Sequence, residues 1–319
     1  MHRAILQIED LHTYFFTFRG TLRAVDGVSE ELRESEILGI VGETGCGKSV
    51  TALSAMKLIP APGKIIKGKV LFEGQNLLKK SDSEMRKIRG KKISMIFQNP
   101  LSSLNPVFTI GDQVSYIIGI HQKCGRRESR RRAMDMFHKV QLPDVVKILK
   151  KYPHELSGGM LQRIMIAMAL SCVPQVLIAD EPTTALDVTI QAQILSLISD
   201  LRRQINTSIL LITHDLGVVA EVCDRVAVMY AGRIVEKGKV KDIFRNPLHP
   251  YTRGLMKSIP RRGRQRATLE TIDGVVPDLL DPPQGCLFHP RCKVAAAQCR
   301  QAQPFLQEKE EGHFVACSR

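Results

Sequence analysis

Ile37-Leu38-Gly39-Ile40-Val41-Gly42-Glu43-Thr44-Gly45-Cys46-Gly47-Lys48-Ser49-Val50 decides the fold of this chain. A short apolar run ends in glycine, as a buried parallel strand does. A glycine-rich loop follows, then a helical stretch from Lys48 to Leu58. The loop fits G-x-x-x-x-G-K-[ST] over Gly42 to Ser49. Its glycines let successive backbone N–H groups turn onto phosphate oxygens, Lys48 reaches the outer phosphates, and the Ser49 hydroxyl ligates Mg²⁺. The helix opening at Lys48 adds the positive end of its dipole. Strand, loop and helix are the context the motif requires, so Gly42 to Val50 is read as a cradle for ATP and Mg²⁺. Cys46 is a small filler inside it.

Val176-Leu177-Ile178-Ala179-Asp180-Glu181 is an apolar strand ending in two carboxylates. Asp180 is placed to hold Mg²⁺, directly or through water, and Glu181 to orient and polarise the attacking water. Phosphoryl transfer asks mainly for positioning and charge stabilisation, so one metal ligand and one water-directing base suffice. Further strands are expected at 4–12, Gly68 to Phe72, Ile93 to Phe97, Ser208 to Thr213 and Arg225 to Tyr230, with helices at Ile190–Ile205 and Leu216–Cys223. That alternation predicts an α/β fold, a mostly parallel sheet with helices on both faces. The stretch 99–172 is mainly helical and is expected to form a subdomain. Residues 261–284 read as a linker.

At 319 residues the chain suggests one large domain with an appendage. No apolar run reaches the roughly 18–20 residues that span a bilayer. The N-terminus lacks a signal-like apolar region. Any membrane role is therefore expected to be peripheral. The net charge of +14 permits nucleic acid or an anionic lipid surface as a partner. Its densest run, Arg126 to Arg132, reads first as a solvated helix face. With no export signal the eight cysteines are expected in a reducing compartment, which argues against structural disulfides.

Leu156-Ser157-Gly158-Gly159-Met160, lying between the cradle and the acid pair, resembles the signature loop of ABC ATPases. Gln98 looks like that family's Q-loop glutamine, Ala185-Leu186-Asp187 like its D-loop, and His214 like its switch histidine. The match runs from about residue 4 to 240. The resemblance implies a P-loop NTPase of ABC type, a RecA-like mixed sheet core with a helical subdomain. It also implies a head-to-tail pair of nucleotide domains, each ATP lying between one cradle and the other domain's signature loop. Lys48, Ser49, Gln98, Asp180, Glu181 and His214 would act within one chain, Gln98 also near Mg²⁺, and Ser157, Gly158, Gly159 and Asp187 at the shared interface. Ser157 and Gly159 open an expected helix, Ser157 to Ala169, whose N-terminus suits an anion. An N-terminal aromatic is expected to stack on adenine. Phe15 is preferred by position, with Tyr14 and Phe16 competing.

A narrower likeness follows. Phe97 to Pro106, Leu156 to Leu170, and His249-Pro250-Tyr251-Thr252 with Ser258-Ile259-Pro260 resemble ATPases of oligopeptide/dipeptide importers. This implies membrane permease subunits as partners, a sister ATPase or a second copy, an extracytoplasmic binding protein acting indirectly, and a place on the cytoplasmic face of the membrane. Rival readings are an importer ATPase for nickel or another solute, and a non-transport ABC ATPase acting on nucleic acid. Against the latter stand the single nucleotide domain and the peptide-importer segments. Three positions depart from the family pattern: Glu30 for an apolar residue, Ser35 for glycine, and Leu161 for a basic residue.

Cys286-x₅-Cys292-x₆-Cys299-x₁₇-Cys317 places four thiols in a short, core-poor tail. Such a tail calls for a staple. The paired Cys-x₂-Cys spacing of structural zinc is missing, whereas four cysteines can hold a [4Fe–4S] cluster. The segment Gly285 to Cys292 resembles the C-terminal extension of dipeptide-importer ATPases, where such a cluster is found. Iron–sulfur ranks first, zinc second and free thiols third. The expected organisation is thus a nucleotide-binding domain over 1–260, its helical subdomain at about 99–172, and a linker with a cysteine-rich extension over 261–319.

Overall fold

A computed structural model describes residues 3–184, 187–258 and 272–319. Ala185 and Leu186 of the expected D-loop, Ile259 and Pro260, and the first part of the expected linker lie outside the described residues. In chain order the strands are β1 (Ala4–Thr17), β2 (Gly20–Arg33), β3 (Ile37–Val41), β4 (Gly63–Phe72), β5 (Gln75–Asn76) and β6 (Ile93–Ile96). They continue with β7 (Val176–Asp180), β8 (Ser208–Thr213), β9 (Arg225–Tyr230), β10 (Arg233–Lys239), β11 (Gln307–Glu310) and β12 (His313–Val315). The chain divides into two compact units.

One unit comprises Ala4–Leu32, Glu36–Leu78 and Ile212–Arg319. In it β3 and β9 run parallel, with Gly39 opposite Val226 and Val41 opposite Val228. Every residue of β3 is buried, as expected of a strand covered on both faces. β9 turns back into β10, and β12 extends the sheet from β10 with Glu236 opposite Val315. A separate antiparallel sheet has the order β2-β1-β4-β5. β1 runs on to Thr17, past the expected end at residue 12, because pairing with β4 continues to Phe15 opposite Gly63. The helix after the cradle, Lys48–Ala55, stops three residues short of Leu58.

Glu30 departs from the family pattern for a reason that lies far along the chain. Its side chain is 1% exposed and meets Arg225 at 2.9 Å and Lys237 at 3.3 Å, while Arg225 also reaches Glu36 at 3.2 Å. A buried carboxylate is tolerable only when paired in this way.

The other unit is built mainly from Lys79–Leu211, with Arg33–Ser35. Its strands lie in the order β8-β7-β6. β6 and β7 are parallel, with Ile96 opposite Ala179. Helices Ile110–Gln122, Arg126–Lys139 and Gly158–Leu170 fill the stretch read as helical. The arginine run lies on the second of these. Arg131 and Arg132 pair on the exposed face with Glu128 and Asp135, while Ala133, Met136 and Phe137 are buried. Ser35 sits at φ +58, where glycine is usual. Its hydroxyl donates to Asn206 Oδ1 at 2.5 Å and its N–H to Ser208 Oγ at 2.9 Å. Those two bonds offset the backbone cost. Leu161 is buried, so its apolar side chain suits its place.

Candidate functional site

The cradle hangs between β3 and the helix Lys48–Ala55. Two glycines are sterically obligatory. A Cβ on Gly42 would lie 2.1 Å from the Met229 carbonyl oxygen, and one on Gly47, at φ +105, would lie 2.3 Å from that of Ala24. Lys48 is buried, and its Nζ donates to the carbonyls of Gly42 at 2.8 Å and Glu43 at 3.0 Å. The ammonium is thereby held over the loop's own backbone. Thr44 and Gly45 are exposed at the loop tip, and Ser49 and Val50 are half-buried in the helix's first turn. Cys46 is fully buried, and burial pushes its thiol up. A buried neutral thiol is inert, in keeping with a filler role.

Asp180 ends β7, and both it and Glu181 are buried. Glu181 sits at φ +47, in the left-handed region that costs a non-glycine residue about 1–2 kcal/mol. Its carboxylate is held there. Gln98 Nε2 donates to Glu181 Oε2 at 2.9 Å and the Thr184 hydroxyl donates to the same oxygen at 2.8 Å. Glu181 lines a cleft of about 420 Å³ with Gln98, Leu156 and Gly158. The structure therefore brings the glutamine, the acid and the start of the signature loop to one cleft.

Ser157 is the N-cap of helix Gly158–Leu170 and is exposed. Among the described residues its hydroxyl makes no capping bond, unlike Asp187, whose carboxylate accepts from Ile190 N–H at 2.9 Å. Gly159 packs closely below, where a Cβ would meet Ile190 at 3.2 Å. His214 is exposed at the end of β8, just before Asp215 caps the next helix through the N–H groups of Gly217 and Val218.

The N-terminal aromatics differ in freedom. The Tyr14 hydroxyl donates to Asp26 at 2.6 Å, and burial together with that partner pushes the phenol up to about 12. Phe15 is half-buried against Gly63. Phe16 is exposed, with Lys64 Nζ 5.9 Å from its ring centre. Phe18, not among the sequence candidates, is fully exposed.

Cys286, Cys292, Cys299 and Cys317 line a single small cavity together with His249 and Phe288. Burial pushes the Cys286 and Cys292 thiols up, and the neighbouring cysteines add to the effect. Ser318 and Arg319 line the cavity as well. Among the described residues no three His, Cys, Asp or Glu side chains are gathered closely enough for a single metal ion. Two residues that sequence reasoning left without a task, Tyr251 and Arg291, both bond to Glu43 of the cradle. Each lies more than 200 positions away from it, so no local pattern could have signalled the contact.

The family model described as ABC transporter matches residues 25–184, and that described as the C-terminal region of oligopeptide/dipeptide transporters matches residues 235–299. A probable peptide ABC transporter ATP-binding protein of Sinorhizobium fredii is 53% identical, covering 99% of this chain and 95% of its own length. A dipeptide transport ATP-binding protein of Bacillus subtilis is 51% identical, covering 98% of this chain and 94% of its own. Among solved structures, a dimeric post-hydrolysis ATP-binding cassette bound to ADP and Pi is similar with a TM-score of 0.67. It is 26% identical and covers 74% of this chain and 98% of that one.

Proposed function

The chain belongs to the ABC transporter family, and on that premise we propose that it is the ATP-hydrolysing subunit energising import of dipeptides or oligopeptides. One observation carries the catalytic part. A buried carboxylate, Glu181, follows a strand-end aspartate and is oriented by Gln98 in a cleft shared with the signature loop. The peptide cargo is supported by the C-terminal family match and by relatives named for peptide transport over nearly their whole length.

In this reading Gly42 to Val50 hold the phosphates, with Lys48 on the outer ones. Ser49 and Asp180 hold Mg²⁺, with Gln98 near it. Glu181 directs water and His214 supports the transferring phosphate, since such chemistry rests on positioning and charge. Ser157, Gly158, Gly159 and Asp187 complete the site of a second nucleotide domain. That the Ser157 hydroxyl makes no capping bond among the described residues supports that assignment. Phe15 is kept as the adenine-stacking residue. Residues 1–260 form the nucleotide domain, with the helical subdomain at about 99–172, and 261–319 the linker and extension. Among the described residues no helix is long and apolar enough to cross a membrane. The chain works peripherally, on the cytoplasmic face, docked on permease subunits and paired with a sister ATPase or a second copy.

The four cysteines are proposed to hold a [4Fe–4S] cluster, with zinc second. Four thiols line one cavity, the number of ligands such a cluster takes, although among the described residues no three of them are gathered as a metal site. A cluster takes one thiolate per iron and spans a wider gap than a zinc ion. When bound, it supplies a cross-link to a core-poor segment. Protein purified without oxygen should be brown, with about four irons per chain. A colourless, zinc-loaded sample would end this reading.

The transport proposal is tested by reconstituting the chain with its permease partners and a substrate-binding protein. ATP hydrolysis should rise with a loaded dipeptide or oligopeptide, and labelled peptide should accumulate inside vesicles. Stimulation by DNA or nickel in place of peptide would contradict it.

A further inference from the structure

The His249-Pro250-Tyr251-Thr252 motif and Arg291, between Cys286 and Cys292, converge on one cradle residue. The Glu43 backbone N–H donates to Tyr251 Oη at 2.9 Å. The Glu43 carboxylate receives both arms of the Arg291 guanidinium, at 2.6 Å on Oε2 and 3.0 Å on Oε1. A forked pair of this kind fixes direction as well as distance.

The anchored end of the pair is Arg291. Its side chain is 5% exposed, against 28% for Glu43. Its remaining donors reach the carbonyls of Asp273 at 3.0 Å and Ile272 at 3.2 Å and the Tyr230 hydroxyl at 3.5 Å. Its guanidinium carbon lies 5.8 Å from the centre of the Tyr230 ring. Glu43, by contrast, sits on a glycine loop. Its carbonyl and that of Gly42 are the two that receive Lys48 Nζ. Where Glu43 is pulled therefore decides where the first turn of the cradle and the Lys48 ammonium rest.

Both anchors run back into the cysteine cavity. Arg291 is bonded in sequence to Cys292. Phe288, which lines the cavity, packs against Tyr251 at 5.4 Å and Tyr230 at 5.2 Å between ring centres. His249, also lining it, accepts the Tyr251 N–H at 3.1 Å. The tilted and edge-on ring contacts join the cavity wall to both tyrosines without a gap.

We infer that Arg291 and Tyr251 are positioning residues of the phosphate cradle, through which the state of the four-cysteine cavity sets the affinity for ATP. The inference deepens the ATPase reading above, and its cavity arm rests on the cluster reading. With the Cys286–Cys292 segment cross-linked, the Arg291 fork is fixed and the cradle is preorganised. With that segment loosened, Glu43 is released and ATP must order the loop itself, which weakens binding.

The test uses the full chain, with MgATP affinity read by a fluorescent ATP analogue and steady-state kinetics beside it. Arg291→Ala and Glu43→Ala should each weaken MgATP binding roughly tenfold, the loss falling on KM rather than kcat. The double variant should be no worse than either single one, and Arg291→Lys, which keeps the charge but not the fork, should lie between. Additive losses in the double variant, or wild-type affinity in Arg291→Ala, would overturn the inference. Cys292→Ser should weaken binding in the wild-type background and have no further effect beside Glu43→Ala. Equal effects in both backgrounds would overturn the coupling to the cavity. A chain with intact Arg291–Glu43 coupling but without iron would remove the cluster reading and leave the positioning role standing. Unfolding midpoints of all variants identify any that fail to fold, and for these Tyr251→Phe, which deletes only the hydroxyl, takes over. It should weaken MgATP binding severalfold, and unchanged binding would count against the inference.

Discussion

Gln98 and Glu181 are joined by a hydrogen bond of 2.9 Å across 83 positions of sequence. The glutamine amide thereby shares the work of aiming a carboxylate whose backbone is already held in an unfavourable conformation. Removing that donor takes one of the two hydrogen bonds described here from Oε2, the other coming from Thr184. Gln98→Ala is expected to lower kcat about 10- to 100-fold while ATP affinity changes little, because misplacing a reacting group costs rate rather than binding. Steady-state ATPase kinetics beside an ATP-binding titration check this.

Ser157 offers a cap that its helix does not use. A serine N-cap replaced by alanine ordinarily costs about 1 kcal/mol. Here the hydroxyl makes no capping bond among the described residues, so Ser157→Ala should change unfolding stability by less than about 0.5 kcal/mol. The same variant should lower ATPase activity of the assembled pair. Denaturant melts on the single chain and hydrolysis by the complex separate the two effects.

Glu30 is held by Arg225 and Lys237 and is almost wholly buried. Glu30→Ala leaves two cations facing a vacated site, although Glu36 still shares Arg225. A loss of about 3 kcal/mol is expected, at the lower end of what breaking a buried pair costs. Urea unfolding at neutral pH measures it.

His249 is expected to make the protein acid-sensitive. Burial, with Arg253 nearby, holds its imidazole down from the ordinary 6.5 to about 3. Below about 6.5 the unfolded chain binds a proton that the folded chain refuses until about 3, so stability is full above 6.5 and falls with pH through that window. His249→Asn keeps an acceptor for the Tyr251 N–H and should flatten the acid limb of a stability–pH curve.

The cradle and the acid pair were legible because each is a short motif bound to one local context, an apolar strand running into a loop. What was not legible depends on partners far apart in sequence. Glu30 reads as a misfit in its strand until Arg225 is placed beside it. Tyr251 and Arg291 carry no local signal for the cradle they touch. The four cysteines were countable, but only folding brings them to one cavity. Much of β2 is polar, and its regularity comes from pairing with β1 rather than from its own pattern.

The most direct measurement of the central claim is ATP turnover by Glu181→Gln beside its affinity for MgATP. The amide keeps the shape but not the charge that directs water. Turnover should fall at least about 100-fold with affinity held, and ATP should trap the chain with its partner domain. Turnover at the wild-type rate would contradict the account.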